Sequence, residues 1–335
     1  MRIHKLTLTF LIITIILIGL HIWRMLTYQT YARKNYSFSV SVAEEHPIMG
    51  KFELISENEI QSITVSEDYK EDNAYWGFTS GYEFESFPLP YTISTHWISL
   101  RERKIYKGSF ELPHKKIDSF FKLEKTRMEK FQKYNKSPVY GYNFGVGIAP
   151  GGMVTVWISG SYFFQKEIAR YQAKEYDSYN WNASGQELLN ALPEGFDSRS
   201  KKTDSIIKNN IPAEIEKWKT LSEKYQYYIK IIGFPDEVTS TDLVFFNQES
   251  DRYIANNTAK HLVYTGVPKH IDINKSELKD RKSYSLSEKY IAKFKTEKNN
   301  LAIGDTLVFV IRKGLNDRIK TFVTSTSKIK LKVEE

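Results

Sequence analysis

The chain contains no cysteine. That absence excludes a disulfide framework, a thiolate nucleophile, cysteine-ligated zinc, an iron–sulfur cluster and a lipid-modified N-terminal cysteine. Metal-ligand patterning is missing too. The seven histidines, His4, His21, His46, His96, His114, His261 and His270, include no i, i+4 pair and no His-Glu-x-x-His. Asp242, Asp251 and Asp272 lack the spacing of a calcium loop. There is no Gly-x-Ser-x-Gly elbow and no repeat period. Disorder is excluded by a globular composition, 41% hydrophobic and 26% charged. A length of 335 residues allows one large domain or two ordinary ones.

What the chain does have, first, is a long apolar run. Leu6 to Trp23 is broken only by Thr7, Thr9, Thr14, Gly19 and His21. As a helix it would span about 27 Å, near the roughly 30 Å of a hydrocarbon core. Trp23, Tyr28 and Tyr31 resemble an interfacial aromatic belt. The bulky His21 to Leu26 stretch argues against signal cleavage. The expectation is an uncleaved transmembrane anchor over residues 1–34. It would make a single-pass protein of a bacterial inner membrane, with the remainder periplasmic.

The formal charge of +8 raises the question of nucleic acid. Residues 1–34 carry five Lys/Arg and no acid, so most of the excess flanks the apolar run. Residues 35–90 hold 2 basic and 11 acidic residues, and residues 91–335 hold 41 and 29. Complementary packing of these parts, or two differently charged solvated faces, both fit this partition. No nucleic-acid motif accompanies the charge, and no nucleic-acid partner is expected.

Beyond residue 35 the pattern alternates between strands and helices. Tyr36 to Val42, two pieces within 51–65, Tyr91 to Leu100 with Lys104 to Phe110, Tyr225 to Ile232, Leu243 to Phe246, His261 to Thr265 and Leu307 to Ile311 read as strands. Glu67 to Asn73 reads as a charged loop, and Thr321 to Val333 as strands guarded by Lys328, Lys330 and Lys332. Helices are expected after Pro113, over Gln165 to Tyr176, in three pieces within 184–224, and over Ser287 to Thr296. The expected class is α+β: antiparallel hairpins with several packed helices, preceded by the transmembrane helix. A texture change near Trp181 divides the chain into 35–183 and 184–335, separate or continuous.

The densest motif runs from Tyr142 to Gly160. Pro150-Gly151 suits the centre of a type II turn, closed by Ala149 and Gly152. That turn pairs Ile148 with Met153 and Phe144 with Trp157, leaving Gly145 and Gly147 opposite Val156 and Val154. Glycine weakens a strand by about 0.5–1 kcal/mol, so a helix, a neighbouring aromatic or a ligand should approach closely there. A phosphate loop would need a helix after the glycines, and β-branched Val154-Thr155-Val156 follows instead.

Trp76-Gly77, Leu89-Pro90, His96 to Ser99, Glu102 to Tyr106, Leu112-Pro113 and above all Gly147 to Gly160 resemble the domain of unknown function 2931 family, over roughly residues 45–180. Its members are bacterial envelope proteins, often described as lipoproteins, though this chain lacks a lipobox cysteine. The resemblance implies location and fold and carries no chemistry. Read from the residues themselves, Gly145, Gly147, Pro150, Gly151, Gly152, Trp157 and Gly160 form a structural hairpin motif.

One catalytic arrangement needs weighing: His96, Ser99 and Glu102. In a strand, His96 and Ser99 point to opposite faces, which is poor triad geometry. No catalytic, metal-binding or cofactor-binding residue is therefore assigned, and no cofactor is expected. The expected function is non-enzymatic: an envelope binding module with a protein partner, for instance of the toxin-immunity type. The alternative is an envelope hydrolase acting on cell-wall or lipid substrates.

Overall fold

The computed structural model describes residues 5–65, 76–77, 85–131, 141–160, 164–176, 201–234, 238–254, 260–275, 282–313 and 319–329. In chain order the helices are α1 (Lys5–Ala32), α2 (His114–Phe131), α3 (Lys201–Lys208), α4 (Ile215–Leu221) and α5 (Lys289–Asn299). The strands are β1 (Arg33–Val42), β2 (Ile48–Ile55), β3 (Ile60–Val65), β4 (Glu85–Pro88), β5 (Thr92–Ser99), β6 (Lys104–Glu111), β7 (Tyr142–Ala149), β8 (Met153–Gly160) and β9 (Phe164–Gln172). They continue as β10 (Lys174–Glu175), β11 (Tyr225–Ile232), β12 (Val238–Phe245), β13 (Ser250–Ile254), β14 (Lys260–Thr265), β15 (Pro268–Lys275), β16 (Lys282–Ser285), β17 (Leu307–Lys313) and β18 (Ile319–Ser325).

Three sheets hold these strands, ordered β16-β15-β12-β13-β9-β8-β7-β1-β4, β10-β6-β5-β2-β3 and β14-β11-β17-β18. Among the described strands only β1–β7 and β11–β17 pair in parallel. The nine-stranded sheet lies between the other two. On one side Phe144, Val146, Ile148, Val154 and Val156 meet Phe52, Leu54, Ile93 and Trp97 of the five-stranded sheet, with Ile117 and Phe120 of α2. On the other side Trp157, Leu243, Phe245 and Ile271 meet Tyr227, Ile229 and Phe309 of the four-stranded sheet, with Phe294 of α5.

The molecule is thus mostly β, which corrects the expected α+β class of hairpins with several packed helices. Gln165 to Tyr176 shows why the periodicity misleads. It forms β9 and β10, and a bulge between Val156 and Trp157 of β8 inserts an extra residue into β9. The bulge shifts the phase of the strand. Phe164, Ile168 and Tyr171 then reach the same core at helix-like spacing.

The transmembrane expectation is corrected as well: among the described residues no helix is long and apolar enough to cross a membrane. The described side chains of α1 are those of residues 10–24. Membrane attachment through Leu6 to Trp23 and the single-pass inner-membrane placement with a periplasmic remainder lose their support. The expected loop at 67–73, the helical piece within 184–200 and the strand residues 330–333 lie outside the described residues.

Candidate functional site

The β7–β8 hairpin sets up the site. Its tip takes three residues, Pro150, Gly151 and Gly152, with φ of 75° at Gly151 and 79° at Gly152. A two-residue tip would pair Ile148 with Met153. The longer tip pairs Ala149 with Met153, Gly147 with Thr155 and Gly145 with Trp157. A slip of one residue changes which side chains share a face, so Trp157 moves to the glycine side. There a Cβ on Gly147 would stand 2.2 Å from Trp157 Cζ3 and 2.8 Å from Trp76 Nε1. Of the three expected causes, the close aromatic is the one found at Gly147.

The tip itself is clamped. Gly151 N–H donates to Glu102 Oε1 at 2.9 Å, and Glu102 also accepts from Ser99 Oγ at 2.8 Å and Tyr106 at 3.0 Å. Ala173 N–H reaches Gly152 O at 2.8 Å, and the Gln172 amide donates to Gly151 O. At the far end of β8, Gly160 lies under the Glu124 carboxylate of α2. A strand follows the tip, not a helix, so this is no phosphate loop.

Trp157 opens a chain of three indoles. Trp76 meets Trp157 edge-on at 5.2 Å and Trp218 of α4 at 5.2 Å. Its backbone neighbour Gly77 is pinned by Ser41 Oγ at 3.0 Å and by Gln165 Nε2 at 2.8 Å. Next to this cluster lies a cleft of about 160 Å³. Trp76, Trp218, Leu221 and Phe246 form its apolar wall, and Glu44, Lys217, Gln248, Lys269 and Glu288 its polar rim. Lys217 is shared between Glu288 at 3.6 Å and Glu214 at 3.8 Å. The side chains of Glu44 and Lys269 make no ion pair among the described residues, so the rim offers one free charge of each sign.

Two buried polar arrangements fix the walls. His46 sits edge-on to Trp218, and its Nδ1–H donates to Glu44 O at 2.6 Å. Burial, reinforced by the Arg101 guanidinium, lowers its pKa to about 4. The ring is therefore neutral at pH 7, with a buried Nε2 that has no hydrogen-bond partner among the described residues. Behind Phe246 and Gln248, Glu249 is 2% exposed. It accepts from Lys224 Nζ at 3.0 Å, Asn247 Nδ2 at 3.0 Å, Thr265 Oγ1 at 2.5 Å and the Glu167 N–H at 3.0 Å. Burial alone would raise its pKa, but Lys166, Lys224 and these hydrogen bonds hold it below the usual value.

The residues weighed for catalysis do not assemble. Ser99 and Glu102 meet, but both serve the hairpin tip, and His96 lies elsewhere against Tyr176. A different arrangement has no signature in the spacing of the sequence. Ser285 Oγ is 2.8 Å from His270 Nδ1, and His270 Nε2 is 3.7 Å from Asp272 Oδ1. Cross-strand register places them together, His270 opposite Ser285 and Asp272 opposite Ser283. The His–carboxylate gap exceeds a hydrogen bond, and Ser285 is exposed. Among the described residues no group of three or more His, Asp or Glu is placed to hold a metal ion.

The signals for the cleft were its tryptophans. Each reads as ordinary core in the sequence, because the partners lie far apart along the chain. A search of curated proteins finds no match. The family model described as "Protein of unknown function (DUF2931)" matches residues 26–236, more than half of the chain and beyond the stretch of expected resemblance on both sides, and the chain belongs to that family.

Proposed function

We propose that this protein is a non-enzymatic binding module whose tryptophan-lined cleft receives one large apolar side chain of a protein partner. The observation that carries the reading is the cleft itself. A volume of about 160 Å³ suits a single side chain. Its wall is aromatic and its rim leaves Glu44 and Lys269 free. Rigid aromatic surface that excludes water is the usual source of interface energy, and opposite charges at the edge would fix the direction of the entering segment.

Selection of random heptapeptides displayed on phage against the intact chain tests this. Enriched peptides should share a large apolar residue flanked by charge. They should bind at least about tenfold more weakly to Lys269→Glu and to Glu44→Lys, both exposed substitutions. No enrichment, or equal binding to both variants, would refute the reading.

A second reading, a hydrolase, has one observation in its favour, the Ser285–His270–Asp272 alignment. Turnover of p-nitrophenyl acetate by the intact chain, abolished by Ser285→Ala, would establish it. An exposed serine with no wall to exclude water favours no turnover.

A further inference from the structure

The turn between β12 and β13 holds one residue in an unusual conformation. Gln248 has a φ of 66°, in the left-handed region that glycine enters without cost and asparagine with little. Strain of this kind persists only where the surroundings enforce it, and here they do. Gln248 N–H donates to Phe245 O at 2.9 Å. The Gln165 amide donates to Gln248 O at 2.7 Å and to Gly77 O at 2.8 Å. A Cβ on Gly77 would stand 2.1 Å from Gln248 Cβ and 2.3 Å from its Cγ, so the missing side chain of Gly77 leaves room for the glutamine stem.

The fold thus keeps a long side chain where a bare backbone would turn more easily. Packing over Gly77 uses the stem alone and gives no reason for an amide. The amide itself is barely engaged. Its Nε2 reaches Phe246 O at 3.4 Å, a long contact. Its Oε1 accepts no hydrogen bond among the described residues, and it is not one of the atoms sealed in the core. Gln248 is half-buried and lines the tryptophan cleft together with Trp76 and Phe246. The carboxylates on the rim are more open to water: Glu44 is exposed, and Glu288 is 57% exposed and shares Lys217. Gln248 is therefore the acceptor of the cleft that an entering group would shield most.

We propose that Gln248 selects the side chain that enters the cleft: an aromatic ring carrying a hydrogen-bond donor, tryptophan or tyrosine, in preference to phenylalanine or leucine. Trp76, Trp218, Leu221 and Phe246 give the ring its apolar contact, and Gln248 Oε1 accepts its N–H or O–H. Rings with a polar tip are the side chains best suited to a site that is apolar on one side and wet on the other. A side chain without the donor would cover the amide oxygen and leave it unpaired, which is how a binding site tells close analogues apart. The amide is neutral, so this selection is independent of the direction set by Glu44 and Lys269. It rests on the cleft receiving a side chain at all, the reading given above.

The test is fluorescence anisotropy of the full chain with labelled heptapeptides that have glutamate at one end, lysine at the other, glycine between and a variable central residue. Central tryptophan should bind about fivefold more tightly than central 1-methyltryptophan, in which a methyl group replaces the indole N–H, and than central phenylalanine. Gln248→Met keeps a stem of similar length without the amide and should bring the three affinities within about twofold of one another. Gln248→Glu retains an acceptor and should keep the preference. Thermal unfolding checks that these variants fold, and Gln248→Gly, which suits the φ of 66°, replaces Gln248→Met if that variant does not. Equal binding of tryptophan and either analogue, or a preference that survives loss of the amide, overturns the role of Gln248 and leaves the cleft reading standing. Binding of none of the peptides, or binding unaffected by Lys269→Glu and Glu44→Lys, overturns the cleft reading and this selection with it.

Discussion

The two sides of the nine-stranded sheet are built on opposite plans. Toward the five-stranded sheet, Phe52, Leu54, Ile93, Phe144 and Val146 are all fully buried, and α2 closes the layer with aliphatic and aromatic side chains. Toward the four-stranded sheet, the glycine face of β7 gives up its own side chains so that Trp157 and Trp76 can lie on it. The third indole, Trp218, then ends at a cleft instead of a wall. Buried polar groups collect on that side as well: His46, Glu249 and Trp76 Nε1, which has no hydrogen-bond partner among the described residues. One strand pair, alternating strictly, thus makes a closed core with one face and a partly open, polar-laced one with the other. The first is suited to holding the fold and the second to meeting something outside it.

The largest effect should come from truncating each side in turn. Phe52→Ala removes a fully buried ring from the closed core and should cost about 4 kcal/mol, because a dry cavity cannot collapse. Trp218→Ala removes a larger ring that is 8% exposed at the cleft, where water can enter. It should cost about 2 kcal/mol while abolishing binding of any peptide selected on the cleft. Urea unfolding with unchanged m-values measures both. Equal costs would break the comparison, since the cleft side would then be packed as tightly as the other.

The next effect is confined to the open side and depends on pH. His46 has a pKa near 4 when folded against 6.5 as a free group. The unfolded chain therefore binds the proton first. Stability from the neutral ring is complete above pH 6.5 and is lost as pH falls toward 4, to the extent of about 3 kcal/mol. His46→Gln should flatten that part of the stability–pH curve. A wild-type curve with no extra loss between pH 6.5 and 4 would mean that the ring is not sealed off by Trp218.

Much of the strand content was legible because it rests on local alternation. Tyr225–Ile232 has the expected bounds, and the hairpin of β5 and β6 turns at Arg101 to Arg103 as the pattern suggests. Errors arose where one residue changes the phase. The bulge in β9 made a strand resemble a helix, and the third tip residue moved Trp157 to the other face. The cleft was not legible at all. Glu44, Trp76, Trp218, Phe246, Lys269 and Glu288 come from six separate stretches of chain. Nothing short-range marks Lys269 as unpaired or Trp218 as half of a wall. The His270–Ser285 contact likewise depends on cross-strand register, which spacing along the chain does not reveal.

A smaller effect should follow from Glu102→Ala. Its carboxylate holds the Gly151 amide and the hydroxyls of Ser99 and Tyr106. Losing these charge-assisted bonds should cost about 2 kcal/mol. Because both faces of the hairpin depend on its tip, the loss should reach both sides of the sheet. Amide exchange should therefore accelerate in β7 and β8 together. Acceleration confined to the cleft side would show that the two faces are anchored separately.

The smallest change in stability should come from Lys217→Met, and it separates folding from binding most cleanly. Lys217 stands on the cleft rim between Glu288 and Glu214, with side chains 44%, 57% and 64% exposed. Exposed pairs of this kind contribute little, so unfolding should shift by less than about 0.5 kcal/mol. Methionine keeps an apolar stem of similar length on the rim. What changes is charge: Glu288 loses its cation, and the rim becomes net negative. Peptides selected on the wild-type cleft that carry an acidic flank should bind several-fold more weakly, and those with a basic flank more tightly. A stability loss above about 1.5 kcal/mol, with no change in peptide preference, would reverse the assignment. The rim pair would then belong to the fold, and the open side of the sheet would be another core with a shallow dent.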